Sequence, residues 1–357
     1  DGKVVYTGQD VRDGQGVFLR YGLMDNGTLW GHGAYLGPDF SASYLHALAE
    51  DVREYISLQQ FGKPPVELSE SQSEALDGRV ARFLATNRYS DANDTLQYTQ
   101  PENETFRDQI GYWKQYLTDI NLNKGLDASS VPEDEELRQL TAFFAWSAWA
   151  ASAHIPGEGY SYTNNFPYDP AVGNGPSTAA VVWSALSLIA LLAGTGAILF
   201  FFGRFHYLGW HGRRGAKVQL TPGDISPSQR ASLKFLVLAA VLFLLQVLTG
   251  AATAHYRVEP GSFYGLDISG WLPSNVLRTW HLQLAVFWIA PAYVGGGLFL
   301  ASAIGGREPR RQTLLINLLG ALLLGVLAGL VSHHGVSPDV RFVVGTGFCG
   351  GFTTFST

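Results

Sequence analysis

The chain has 357 residues, 46% of them hydrophobic, 13% aromatic and only 15% charged, which excludes a disordered chain and argues against one that binds nucleic acid. A mean hydropathy of +0.06 hides a division of solvents. Residues 1–175 hold 12 basic against 25 acidic side chains, a net of −13, and the remainder holds 12 against five, a net of +7.

The first half reads as a water-soluble, helical domain. Gln9–Arg20 carries Val11, Val17 and Phe18 on an apolar stripe behind an Asp10 cap, and Ser41–Leu58 places Leu45, Leu48, Ala49, Val52 and Ile56 at helical spacing. Ser69–Thr86, Glu102–Ile120 and Pro132–Ala153 follow the same pattern, with polar loops at Asp91–Gln97 and Gly157–Gly175. The run Ala142–Ala153 is rich in Phe and Trp, but about a dozen residues cannot cross a bilayer, so it is expected to be a buried core helix.

After Gly175 the apolar runs lengthen. Thr178–Gly203, Ser232–His255, Thr279–Ala303 and Thr313–Ser332 each reach the roughly 20 residues that a spanning helix needs, and a fifth apolar segment begins near Arg341. Arg204, Arg213, Arg214, Lys217 and Arg230 follow the first span, and Arg307, Arg310 and Arg311 follow the third. Each group faces a single acid, so both loops are expected in the cytoplasm and the acidic domain outside. Pro291 and Gly295–Gly297 would kink the third span or allow close packing. The sequence opens on Asp1 with no basic and then apolar leader, so a signal or anchor is expected to lie outside it.

Position sorts the nine histidines. His206 and His211 lie in a basic loop, His333 and His334 past the fourth span, and His32, His46 and His154 in the soluble half; solvated or structural roles suit all of them. His281 stands inside an apolar span, where an imidazole is costly unless it is paired or metal-bound, and haem iron takes such a ligand. His255 and Glu259, four residues apart at the outer end of the second span, would share a helix face. A base beside a carboxylate at the membrane surface suits the proton release of a quinol; an interfacial ion pair that closes the helix is the alternative.

The tail carries a separate signal. Asn317 is alone in an apolar helix, and Gly345–Thr357 mixes glycines, hydroxyls and aromatics. Such a run can break a helix and turn carbonyls toward an ion, or pack as a small-residue face. The single cysteine, Cys349, lies there; it excludes an intrachain disulfide, a paired-cysteine zinc or redox site and a C-x-x-C-H haem attachment.

Five motifs occur in order: Trp30-Gly31-His32-Gly33-Ala34-Tyr35 with Pro38–Ala42, Ala142–Trp146, Tyr160–Pro167, His255-Tyr256-Arg257-Val258-Glu259, and Thr279-Trp280-His281-Leu282-Gln283-Leu284-Ala285. With them, residues 1 to about 311 resemble the N-terminal half of quinol-dependent nitric oxide reductase, a single-chain relative of the haem–copper oxidases. The resemblance implies that 1–175 is a periplasmic domain with a cytochrome c-like fold and no haem. It implies that His281 is an axial ligand of haem b, and that His255 and Glu259 bind quinol. In that family electrons pass from quinol through haem b to haem b3 and a non-haem iron, where two NO become N2O and water, as in denitrification. No counterpart of the residues that ligate haem b3 and that iron, or of the second haem b ligand, is found in these residues.

From about Gln312 the resemblance changes. Thr313–Gly320 and Gly347–Thr357 resemble the second helix and broken third helix of the small dimeric fluoride channels. That implies Asn317 and Phe355 along a fluoride path, and Gly350 and Thr353 at a central sodium site.

The expected fold is therefore mainly α: a cytochrome c-like domain over 1–175, then four to five spans. Residues 176–311 would form an incomplete haem–copper oxidase-like bundle and 312–357 a fluoride channel fragment, all in a bacterial inner membrane. The expected function is that of a quinol-dependent nitric oxide reductase, an oxidoreductase present as an incomplete fragment and inactive by itself. A fluoride channel, working as a dimer, is the alternative.

Overall fold

The computed structural model describes residues 2–127, 130, 132–205, 225–305, 311, 312, 314, 315, 318 and 322. They are mainly helical and divide into two compact units, Asp1–Leu192 with Thr249–Thr279, and Ala193–Leu248 with Trp280–Thr357.

In the first unit, α1 (Gly8–Arg20) begins at Thr7, which exchanges hydrogen bonds with Asp10: the Asp10 amide donates to Thr7 Oγ1 and the Thr7 amide to Asp10 Oδ2. Asp10 is thus the third helical residue rather than the cap. α2 (Phe40–Phe61) is capped by Asp39 and stops at Gly62, whose φ of 65° is left-handed. α3 (Glu70–Ala85) and α4 (Gln100–Thr118) each open with a capping box, Ser69 with Gln72 and Thr99 with Glu102. α4 stops at Asp119, which caps the one-turn α5 (Ile120–Asn123), where a single helix was expected through Ile120. α6 (Asp134–Ser152) is the central helix, and no part of it is long and apolar enough to be a candidate span.

Aromatic packing holds α1, α2, α4 and α6 together. Phe40 and Phe144 stack at 4.9 Å, Phe18 meets Phe40 edge-on at 5.7 Å, and Trp113 lies 5.0 Å from Phe144. Phe18, Phe40, Trp113 and Phe144 are all at most 1% exposed. α1 crosses α6 so closely that a Cβ on Gly14 would collide with the Gln139 carbonyl oxygen.

Two small hairpins were not expected. β1 (Thr28–Leu29) pairs with β2 (His32–Gly33), and β3 (Tyr89–Ser90) with β4 (Thr95–Leu96), the latter inside the Asp91–Gln97 segment read as a loop. Residues 157–175 are tied by their own side chains: Asn165 Oδ1 accepts from the Ser161 amide, Asn174 donates to the Asn165 and Pro167 carbonyls, and the Phe166–Pro167 bond is cis.

Among the described residues three helices are long and apolar enough to cross a membrane: α7 (Thr178–Phe205), α8 (Pro227–Val258) and α9 (Ser274–Gly305). Pro291 lies within α9 without ending it. The expected fifth span, and all of the fourth but Leu314, Leu315, Leu318 and Leu322, fall outside the described residues.

In the second unit α8 and α9 run antiparallel. Gln229 donates to the Phe299 carbonyl, a Cβ on Gly295 would meet Phe235 at 2.8 Å, and Phe243 meets Trp288 edge-on at 5.2 Å.

Candidate functional site

His255 lies in the last turn of α8. The Glu259 amide donates to the His255 carbonyl at 2.9 Å, so the helical turn closes and brings the Glu259 side chain back toward the ring. Oε2 of Glu259 is 2.9 Å from Nε2 of His255, ion-pair distance but out of line for a hydrogen bond. Ser262 donates its hydroxyl to the other carboxylate oxygen. That hydroxyl holds the Glu259 carboxyl below the usual glutamate range; burial opposes it, and the nearby His255 adds to the lowering.

A tight turn covers the imidazole. Phe263 and Leu266 exchange both backbone hydrogen bonds, and Tyr264 and Gly265 between them have φ of 51° and 83°. The Phe263 and Tyr264 rings lie 4.6 and 4.9 Å from the His255 ring, and Tyr264 is 81% exposed. The result is a base and a carboxylate beside two aromatic rings at the end of an apolar helix. Sequence reasoning found the charged pair and missed the rings and Ser262, because the turn that brings them back is irregular.

The first unit fastens this segment from below. Tyr256 is 1% exposed, its ring packs on Gly125, and its hydroxyl donates to the Leu272 carbonyl. Gly125 has φ 75°, and its carbonyl accepts from the Ser274 amide at 2.8 Å. Arg257 donates to the Tyr35 carbonyl and Thr279 to Asp25.

His281 is half-buried on α9, and its Nδ1 lies 2.9 Å from the Gln246 carbonyl oxygen of α8. Trp288, two turns along α9, donates Nε1–H to the Gln246 side-chain oxygen at 2.5 Å. Gln246 was missed, although an amide inside an apolar run is the signal that singled out Asn317. Asn317, Gly350, Thr353 and Phe355 lie outside the described residues, as do His206, His211, His333 and His334. Among the described residues no three His, Cys, Asp or Glu side chains are grouped as a metal site.

The remaining described histidines have local partners or face solvent. His46 Nδ1 is 2.8 Å from Asp169, His154 bridges to Ser161 through its backbone, and His32 is an exposed strand residue. The residues Trp30–Ala42 are structural. Asp39 accepts from the Gly31 and Ala42 amides and the Thr28 hydroxyl, and Trp30 donates its ring N–H to the Ser147 carbonyl. A small pocket in the helical domain is lined by Tyr44, Leu48, Leu84, Tyr98, Glu102, Ala145, Trp149 and Ser152. No His, Met or Cys is among them.

Comparison with known proteins divides the chain in the same order. Residues 1–168 match the family model of the nitric oxide reductase NorB cytochrome c-like domain. Residues 284–357 match that of the CrcB-like proteins, described as camphor resistance. This second match starts within α9, ahead of the change near Gln312 seen in the motifs. The fluoride-specific ion channel FluC 2 of Cutibacterium acnes is 56% identical over 46 residues, which are 13% of this chain and 37% of that one. FluC 1 of Symbiobacterium thermophilum is 47% identical over 62 residues, 17% of this chain and 50% of the channel. FluC 1 of Geobacillus kaustophilus is 46% identical over 78 residues, 19% of this chain and 64% of the channel. The chain thus spans between about a third and two thirds of the length of these relatives.

Proposed function

We propose that the chain carries the quinol-oxidising front of a quinol-dependent nitric oxide reductase, joined to a segment of a fluoride channel. The observation that carries the first part is the match of residues 1–168 to the nitric oxide reductase NorB cytochrome c-like domain. In this reading the domain is periplasmic, the membrane is a bacterial inner membrane, and the substrate is a lipid quinol whose tail stays in the bilayer.

The lowered Glu259 carboxyl is ionised at neutral pH and accepts a hydrogen bond from one quinol hydroxyl. His255, 2.9 Å away, is the proton acceptor. Phe263 and Tyr264 flank the flat quinol ring. Oxidation releases two protons and two electrons; the protons leave through His255 and Glu259 toward the outer face. The residues fit a haem iron at one position: the Gln246 carbonyl can only accept, so His281 Nδ1 carries a proton and Nε2 offers its lone pair. Haem b, when bound there, supplies a one-electron acceptor. Reduction of NO at haem b3 and a non-haem iron belongs to the complete enzyme, and this chain alone binds quinol without turning over NO.

The test is quinol binding to the whole chain in lipid nanodiscs, followed by quenching of intrinsic fluorescence. Glu259→Gln and His255→Ala are each expected to weaken binding by tenfold or more, and binding equal to wild type in both would sink the proposal. Haem reconstitution that gives a Soret band lost in His281→Ala supports the haem site; a band retained in that variant removes it.

The second reading rests on the match of 284–357 to the CrcB-like proteins. In it a dimer would pass fluoride along Asn317 and Phe355, with Gly350 and Thr353 at a sodium site. Fluoride efflux from liposomes that disappears in Phe355→Ala is its expected outcome, and liposomes no leakier than empty ones would exclude it. A continuous genomic read through the codons for 284–320 establishes the junction as genuine.

A further inference from the structure

We infer that Gln246 and Trp288 are positioning residues that lock the His281 imidazole in one tautomer and one orientation; the link to haem rests on the reading of His281 above. Two polar groups of α9 converge on one residue of α8. His281 Nδ1 is 2.9 Å from the Gln246 main-chain oxygen and Trp288 Nε1 is 2.5 Å from its side-chain oxygen.

Each partner's role is forced by its chemistry. A carbonyl oxygen only accepts, so Nδ1 of His281 is protonated; an indole N–H only donates, so the amide oxygen of Gln246, not its nitrogen, faces Trp288. With Nδ1 donating to that carbonyl, Nε2 is the ring nitrogen that carries the lone pair. His281 and Trp288 are seven residues apart, close to two full turns, and so share one face of α9. Sliding or rotating α9 against α8 would break both contacts together. The Phe243 ring beside Trp288 and the close approach of Phe235 to Gly295 hold the same register through packing alone.

A ligating histidine needs its second nitrogen fixed, and loss of such an outer partner typically lowers metal affinity 10- to 100-fold. Here the partner is main-chain, so no substitution deletes it. The side-chain bond between Trp288 and Gln246 adds a directional contact to the packing that keeps that carbonyl under the ring.

The experiment is nitrogen NMR of the full chain in lipid nanodiscs with histidine labelled on both ring nitrogens, His281 being assigned by the signal missing in His281→Ala. Wild type is expected to show one neutral species with Nδ1 protonated. Trp288→Phe and Gln246→Met, which remove the bond and keep bulk, are expected to show both tautomers and, on haem titration, about 10-fold weaker binding. Phe243→Leu, which removes packing and no hydrogen bond, is expected to keep the single tautomer. A wild-type ring protonated at Nε2, or variants with tautomer and haem affinity unchanged, would overturn the inference. A single Nδ1–H species in a chain that takes up no haem would support the lock and remove the haem reading.

Discussion

The helices before Thr178 and those after it share one backbone geometry and solve opposite solvent problems. α6 buries 12 of its 19 residues in protein, and α7, longer and more apolar, buries none of its 28. The buried aromatic rings of α6 have protein partners, whereas the surface of α7 is matched to lipid, where apolar side chains gain little from packing on one another. The same type of residue therefore has a different worth on each side of the division.

Substitutions measure that difference directly. Phe144→Ala, which empties the centre of the aromatic core, is expected to cost about 4 kcal/mol, read as loss of the near-ultraviolet signal at lower denaturant. Leu191→Ala in α7, 65% exposed, is expected to shift the same transition by less than about 0.5 kcal/mol, and a larger shift would break the comparison. Gly14→Ala drives a methyl group into the Gln139 carbonyl and is expected to cost about 3 kcal/mol.

Acid should loosen the contact between α1 and α6. Burial works to raise the Asp10 carboxyl, and hydrogen bonds from Arg138 and Thr7 more than reverse it, leaving it below its ordinary 3.8. A depressed carboxyl stabilises the fold above its unfolded value, and that contribution is lost as pH falls through the folded one. Asp10→Asn should therefore flatten the stability profile below about pH 4 and lower the neutral plateau. An equally small effect is expected at His46, whose ring lies 2.8 Å from the Asp169 carboxylate and is half in water: His46→Ala should cost at most about 0.5 kcal/mol.

Much of this was legible in the residues. Val17, Phe18, Leu45, Leu48, Ala49, Val52 and Ile56 were expected on buried faces, and only Val11 is partly exposed there. Helical periodicity and apolar run length reported the five main soluble helices and three spans to within a few residues, because both are local properties of the chain. The four-residue spacing of His255 and Glu259 predicted their approach for the same reason. What periodicity does not carry is contact between distant segments. The two hairpins, the turn that lays Phe263 and Tyr264 on His255, and the meeting of Gln246 with His281 and Trp288 depend on tertiary placement or on pairs of residues too short to show alternation. The Asp10 cap was misassigned by three residues, since Asp is a common N-cap as well as an acidic partner at the third helical position of a capping box.

The anchor at Gly125 bears on how the protein can be cut. Composition changes at Gly175, which invites a truncation there, yet residues 249–279 fold with 1–192. A fragment ending at 175 would leave the Gly125 carbonyl without the Ser274 amide and the surface beneath it without the Tyr256 ring. The smallest faithful excision is consequently discontinuous: the helical domain grafted by a short linker to the segment from Thr249 to Thr279. Its gain in cooperativity over the simple truncation would measure how strongly residues 249–279 and the helical domain fold as one.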